Sequence, residues 1–238
     1  MEQCDNKKNT ITLYTIAYGD YWEKYGERWE QNIKKLDPQP DEIYIISDKP
    51  IATDFKYYIY NNDHPVHKLS YFRNYAVSKS TSLMTSAADI DDIHYSWFLK
   101  NVNFNFDIHY FSKKEHNNIV KTEEQIFKYL KAFNLIMTPS PIKTELLKKI
   151  KYDAFGWEDR IMCIKLFKNG AKMFVDPTPR FEWTSEGKER NGRSSLTKPK
   201  TKKEMAIHKI KHNEYRSFVV TGEIFDNSKE YNKVINIK

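Results

Sequence analysis

Up to residue 92 the chain alternates short β-rich runs with segments of helical spacing, and the runs stop at turn residues or carboxylates. Thr10 to Tyr18 is dense in β-branched and aromatic residues and ends at Gly19-Asp20, a turn signal. From Tyr21 to Leu36 the apolar positions Trp22, Tyr25, Trp29, Ile33 and Leu36 form one helical stripe, and Asp37-Pro38-Gln39-Pro40 ends it. Glu42 to Ser47 is a second run, closed by Asp48; Tyr57 to Tyr60 is a third, followed by the polar loop Asn61 to Pro65. A helix opening at Tyr71-Phe72-Arg73-Asn74-Tyr75-Ala76 and reaching Lys79 precedes a buried strand that enters Ala87-Ala88-Asp89-Ile90-Asp91-Asp92. Strands joined through helices return to the same end of a sheet and pair in parallel, so this order predicts a layered α/β domain.

The second half is less regular. Tyr95 to Leu99 and Phe104 to Phe111 read as strands or loop segments. Thr122 to Ala132 reads as a helix with Thr122 as its cap and Glu123-Glu124 in its first turn. Leu135 to Thr138 is a strand and Lys143 to Ile150 a short helix. Trp157 to Lys168 is a helix closed by Asn169-Gly170. Lys172 to Val175 is the last strand, broken by Pro177 and Pro179, and Thr201 to Phe218 is a basic helix. No internal repeat is visible.

At 238 residues the chain is long enough for one substantial core. Hydrophobic content is 39%, but 16 Tyr, 14 Phe and 5 Trp supply large burial per residue. The first residues lack the apolar core of a signal peptide, and no apolar run approaches the ~20 residues of a membrane span, so a cytoplasmic protein is expected. Cys4 and Cys163 do not make a disulfide framework. The formal charge of +7 comes mostly from lysine, 32 against 7 arginines, a bias that an A/T-rich genome produces without an anionic partner. The excess is uneven: from Lys188 to Lys211 nine basic residues face only Glu189 and Glu204. That stretch suits either a phosphate-rich partner, an anionic surface or a solvated loop.

Asp89, Asp91 and Asp92 place three carboxylates within four positions. Like charges this close repel unless a cation bridges them, and an oxygen-only donor set suits Mg²⁺ or Mn²⁺. A solvated Asx-type turn is the alternative.

From Arg73-Asn74 through Asp89-Ile90-Asp91-Asp92 the sequence resembles the GT-A nucleotide-sugar glycosyltransferases, family 2 in particular, in which an Arg-Asn pair on a helix precedes a strand ending in Asp-x-Asp or Asp-x-Asp-Asp. Phe155-Gly156-Trp157-Glu158-Asp159-Arg160 is similar to the Trp-Glu-Asp segment from which inverting members take their base. The two motifs stand in the family's order, and the resemblance covers roughly residues 10 to 185. It implies a single-domain GT-A (Rossmann-like) fold, a mixed, mainly parallel sheet flanked by helices. Residues 1–100 would form the nucleotide-sugar half and 101–185 the acceptor half, with a basic loop and helix at 186–220 and a tail at 221–238.

The activity it implies is a metal-dependent, inverting transfer of a sugar from a nucleoside diphosphate, expected to be UDP, to a hydroxyl acceptor. Asp159 would be the general base, with Glu158 binding or orienting the acceptor. Asp48, Arg73, Asn74, Asp89 and Trp157 would surround the nucleotide sugar. Asp91, with Asp89 and Asp92, would hold Mn²⁺ or Mg²⁺. Capping explains Glu158 and Asp159 equally well, since carboxylates are stabilised at a helix start. A structural ion pair explains Arg73 equally well, and core packing explains Trp157. The chain departs from the family where many members carry a metal-binding His after the last strand. It has Arg180 to Glu186 there, leaving Glu182, His208, His212 or water to complete the shell.

The acceptor is either a saccharide or glycan precursor, or a hydroxymethylated pyrimidine in viral DNA flipped from its duplex and held by the basic stretch. Rival classes are a non-catalytic binding protein on a transferase scaffold and a divalent-ion phosphatase or nuclease.

Overall fold

The computed structural model describes residues 9–61, 68–113, 139–152, 158–182, 201–203, 205–207, 209–210 and 213. The elements are β1 (Ile11–Ala17), α1 (Tyr21–Ile33), β2 (Glu42–Ser47), β3 (Tyr57–Ile59), α2 (Lys68–Lys79), β4 (Met84–Ala87), β5 (Ile93–His94), β6 (Ile108–Lys113), β7 (Ile142–Lys143), α3 (Thr144–Ile150), α4 (Glu158–Lys168) and β8 (Met173–Glu182). The strands form one sheet in the order β3-β2-β1-β4-β7-β6-β8-β5. β3, β2, β1 and β4 are parallel, and β6 is parallel to β8. α1 separates β1 from β2 and α2 separates β3 from β4, as the sequence implies, while β2 reaches β3 through residues 48–56 without a helix. β7 pairs antiparallel with β4 and β6, and β5 antiparallel with β8, which makes the sheet mixed.

Both faces are covered. In β1 and β2 the side chains of Ile11, Leu13 and Ile45 pack on the face of α1, with Trp29 and Ile33 fully buried and Leu36 nearly so. Tyr14, Tyr44 and Ile46 point the other way, onto Phe72 and Ala76 of α2. Further along, Ile108, Tyr110, Ile142 and Met173 meet Leu147 of α3 and Met162, Cys163 and Leu166 of α4. Successive strand side chains point to opposite faces, so one alternation builds two cores. The aromatic-rich composition appears here as interlocked rings, including an edge-on Trp29–Phe55 pair and a stacked Tyr60–Tyr75 pair 4.2 Å apart.

Several expectations shift. α1 stops at Ile33 rather than Leu36, and α2 begins at Lys68, three residues before Tyr71. The segment after Asp92 forms only the short β5, followed by turns through residue 101. The expected helix over 122–132 and strand over 135–138 lie outside the described residues. Within the basic tail, residues 202–203, 205–207, 209–210 and 213 are helical, with Ile207 and Ile210 buried.

Pro177 and Pro179 do not end the last strand, contrary to the reading of the sequence; β8 continues to Glu182. Phe111 pairs with Asp176, but the next residue, Ser112, pairs with Pro179, so an irregularity absorbs residues 177–178. Prolines, which cannot donate to a ladder, are tolerated at such places. A buried network stabilises the bend. Asp176 accepts from the Thr178 amide at 2.8 Å and from Arg180 Nε at 3.1 Å, and Arg180 Nη1 donates to the Trp97 carbonyl at 2.6 Å. The C-terminus of α4 does match expectation. Gly170, at φ 75°, closes it, with the Gly170 amide on the Phe167 carbonyl and the Ala171 amide on that of Leu166, a Schellman arrangement.

Two buried histidines set an acid limit on this core. His109 Nδ1 accepts from the Asn103 amide at 2.7 Å, so the ring is neutral with its proton on Nε2, which faces Asp176 at 3.4 Å. Burial pulls its pKa down to about 4, and pulls that of His94 to about 3. Both values lie below the ordinary 6.5, so the unfolded chain binds the extra protons and the folded one resists them. Stability carried by these groups is complete above about pH 6.5 and is lost as pH falls toward 4, at a slope on the order of 1.4 kcal/mol per pH unit for each histidine. Urea midpoints between pH 7 and pH 4 should therefore fall. His109→Gln, which keeps hydrogen-bonding capacity without titrating in this range, should flatten the curve; an unchanged slope would rule His109 out as a contributor.

Candidate active site

The chemistry-bearing residues collect at the carboxyl ends of the parallel strands, where open α/β sheets bind ligands. β1 ends at Ala17 and is followed by Tyr18 and Gly19, the latter at φ 65°, which allows the immediate turn into α1. The Gly19 amide donates to Asp48 Oδ1 at 3.1 Å, so the carboxylate expected beside the nucleotide sugar ties the residue after β2 to the turn after β1.

β4 leads directly into the acidic turn. The Ala88 amide donates to the Tyr14 carbonyl at 2.7 Å, and the Asp92 amide closes the turn onto the Asp89 carbonyl at 3.1 Å. From the other side α1 pins it: Trp29 Nε1 donates to the Ala88 carbonyl at 3.1 Å and Arg28 Nη2 to that of Asp91 at 3.0 Å. These donors fix the backbone that presents Asp89 and Asp91, and nothing in the sequence pattern marked Arg28 or Trp29 for that task.

Arg73 joins this turn to the start of α4. Its Nε donates to Glu158 Oε1 at 3.2 Å and its Nη2 to Asp89 Oδ1 at 3.4 Å. The arginine side chain is 4% exposed, that of Glu158 6%, and that of Asp89 37%, so a buried positive charge faces a carboxylate open to the crevice. Burial pushes the Glu158 carboxyl up, Arg73 opposes the rise and Asp159 adds to it. Arg73 itself is held protonated by Asp89, Tyr14 and Glu158 despite its burial. Its guanidinium lies 5.8 Å from the Tyr152 ring centre, and burial raises the phenols of Tyr14 and Tyr152. Tyr14 and Tyr152 were not singled out by the sequence; only their contact with the Arg73–Glu158 pair identifies them. With Thr85, Ala87, Ser140, Ile142, Leu147, Met162 and Asp159 they line a cavity of about 10 Å³, about the volume one water requires.

Asn74, the other half of the motif, is turned to the protein. Its Nδ2 donates to the Tyr152 carbonyl at 2.6 Å and its Oδ1 accepts the Tyr152 amide at 2.8 Å. Asp159 is half-buried on the first turn of α4 and lines the cavity just described. Trp157 and Gly156 lie outside the described residues, as do His208, His212 and most of the Lys188–Lys211 stretch.

The three aspartates do not form one cage. Asp89 is engaged by Arg73, Asp91 is half-buried, and Asp92 is buried at 6% exposure. Among the described residues no three His, Cys, Asp or Glu side chains come together at one point. Glu182, one of the candidates to replace the missing histidine, accepts from the Tyr95 hydroxyl at 3.0 Å. Asp89 and Asp91 are both half-buried on the turn that follows β4, and carboxylate oxygens are the donors that a hard divalent ion takes.

This order of elements, with an acidic turn after the fourth strand of a mixed sheet, is a GT-A-type α/β fold. No family model and no curated protein sequence matches the chain. Among solved structures it is similar to residues 1–349 of TarS from S. aureus. Against the complex with UDP-GlcNAc the TM-score is 0.64 at 13% identity, covering 95% of this chain and 70% of that one. Against the complex with UDP it is 0.62 at 14% identity, covering 95% and 69%. At such identity the likeness establishes the fold.

Proposed function

We propose that this chain is a glycosyltransferase that moves a sugar from a nucleoside-diphosphate sugar to a hydroxyl acceptor, with a UDP-sugar as donor and a saccharide as acceptor. The observation that carries the reading is the Arg73 bridge. It holds Asp89, on the strand-end turn, and Glu158, immediately before Asp159, around one guanidinium at 3.4 and 3.2 Å. A donor-side carboxylate and a candidate base thereby share one crevice. The solved complexes of a protein with this fold, which hold UDP-GlcNAc and UDP, support the choice of donor.

In this reading the nucleotide lies across the ends of β1 and β2, near Tyr18 and Asp48, with its diphosphate toward the acidic turn. Asp91 and Asp89 would hold Mn²⁺ or Mg²⁺, which would supply counter-charge for the diphosphate when bound. Asp159 accepts the proton of the acceptor hydroxyl as that oxygen attacks the anomeric carbon. The bond to the nucleoside diphosphate breaks on the opposite face, and the configuration inverts. Glu158 is too deeply paired with Arg73 to serve as the main acceptor contact, and its role is to hold the first turn of α4 in place.

Thermal unfolding with UDP and UDP-GlcNAc, with and without Mn²⁺, tests the reading. A ligand at about 100 times its Kd stabilises the folded state by about 2.7 kcal/mol. The wild type should be stabilised by UDP more strongly with Mn²⁺, and Asp91→Asn should lose that ion-dependent increment. If neither ligand stabilises the protein, the transferase reading fails; an Asp91→Asn protein with the full increment removes Asp91 from the ion site. Binding of duplex or single-stranded DNA at low salt would redirect the acceptor to nucleic acid.

A further inference from the structure

Asn74 and Arg73 are adjacent on α2 and hold the two residues that flank positions 153–157 in the sequence, Tyr152 before them and Glu158 after. Asn74 grips both backbone groups of Tyr152, at 2.6 and 2.8 Å. Arg73 grips Glu158 at 3.2 Å, and its other branch reaches Asp89 at 3.4 Å. The two amide bonds are reciprocal, donor to acceptor and acceptor to donor, so they fix orientation as well as distance. No single-point contact does that. Tyr152 follows Lys151, which has the positive φ of 58°, so the chain leaves α3 in a direction its own local geometry does not favour and needs an external hold.

We propose that Asn74 is a positioning residue, a latch on Tyr152 that sets α4, and with it Asp159, against the donor crevice. The inference rests on the transferase reading for its catalytic consequence, but the latch is a physical claim about α4 that stands apart from it. In this assignment Asn74 does not contact the nucleotide sugar; it acts through Tyr152, with Arg73 as the second anchor. Displacement of a reacting group by about 1 Å lowers rates up to about 10²-fold, so loosening the latch reads out in turnover rather than in donor affinity.

The test compares wild type, Asn74→Ala and Asn74→Asp by amide hydrogen exchange in the free protein, then by turnover. Asn74→Ala should speed exchange at the Tyr152 amide and in the first turn of α4 by about tenfold or more, with α1 and β1 unchanged as the control for folding. Asn74→Asp retains an acceptor for the Tyr152 amide and loses the donor to its carbonyl, so it should fall between the two. With UDP-GlcNAc and Mn²⁺, and UDP release followed, Asn74→Ala should lower kcat by about 10–100-fold while KM stays within about threefold. Unchanged exchange around Tyr152 and α4 would overturn the latch. So would a KM or a UDP Kd raised more than about tenfold at unchanged kcat, which would make Asn74 a donor ligand. If wild-type protein neither binds UDP nor turns over UDP-GlcNAc, it is the transferase reading that fails, and the exchange data still decide the latch.

Discussion

Asp159→Asn should lower turnover by about 10²–10⁴-fold while leaving UDP affinity within a few-fold of wild type. The amide keeps the shape of the carboxylate and most of its hydrogen bonding but does not accept the acceptor's proton. Asp159 sits half-buried on the first turn of α4, one residue beyond the buried Glu158–Arg73 pair, so its backbone is held whether or not its side chain is ionised. The measurement is kcat with saturating donor, together with UDP titration of the variant. A variant that unfolds at lower temperature with a normal rate would mean that Asp159 caps α4 and does no chemistry.

Arg73→Met should be the most destabilising single change at the site, by about 3–5 kcal/mol, because it strands Glu158 without its counter-charge. For a chain of this size that corresponds to a fall in Tm of about 6–20 °C. The methionine fills much of the space, so the loss reports charge more than packing. Two further observations separate this cause from cavity formation. Adding Glu158→Gln to Arg73→Met should restore part of the loss, since the buried group is then neutral. The loss should also shrink toward acid pH, because burial raises the Glu158 carboxyl and the stranded group takes up a proton there. If the double variant is as unstable as the sum of the two single changes, the two side chains are energetically independent and the bridge does not hold the crevice together.

The role of Arg73 shows where reading residues in order stops. The sequence marks Arg73, Asp89 and Glu158 as charged residues in two motifs, and the resemblance to GT-A transferases puts Arg73 and Asp89 at the nucleotide sugar and Glu158 at the acceptor. It does not say which of them touch each other. Glu158 was expected to bind or orient the acceptor; in the fold it is buried against Arg73. Asn74 was expected beside the nucleotide sugar; in the fold both ends of its amide are on Tyr152, 78 residues away. The three aspartates were expected as one ligand set; successive residues of a tight turn face different directions, so Asp92 is buried while Asp89 faces Arg73. The prolines of β8 were expected to end a strand, but a shift in pairing lets the strand pass them.

What the sequence determined by itself is local and periodic. β-branched and aromatic runs, the stripe from Trp22 to Leu36 and the glycines at positions 19 and 170 act within a few residues, and the strands and helices they specify appear close to where they were expected. The directions of β2 relative to β1 and of β4 relative to β3 follow as well, because a helix between two strands leaves little choice of direction. The parallel pairing of β3 with β2, joined without a helix, does not. Tertiary structure alone decided the pairs that form the site. Arg73 meets Glu158 across 85 positions and Trp29 holds Ala88 across 59, contacts made only when two cores close on the same sheet. Burial then sets the electrostatics: a carboxylate that would be ordinary on a solvated helix start is raised when desolvated, and an arginine that would be mobile on a surface becomes a fixed charge between two acids. Charge in a sequence names the groups; the distance and desolvation that give them work to do exist only in the folded chain.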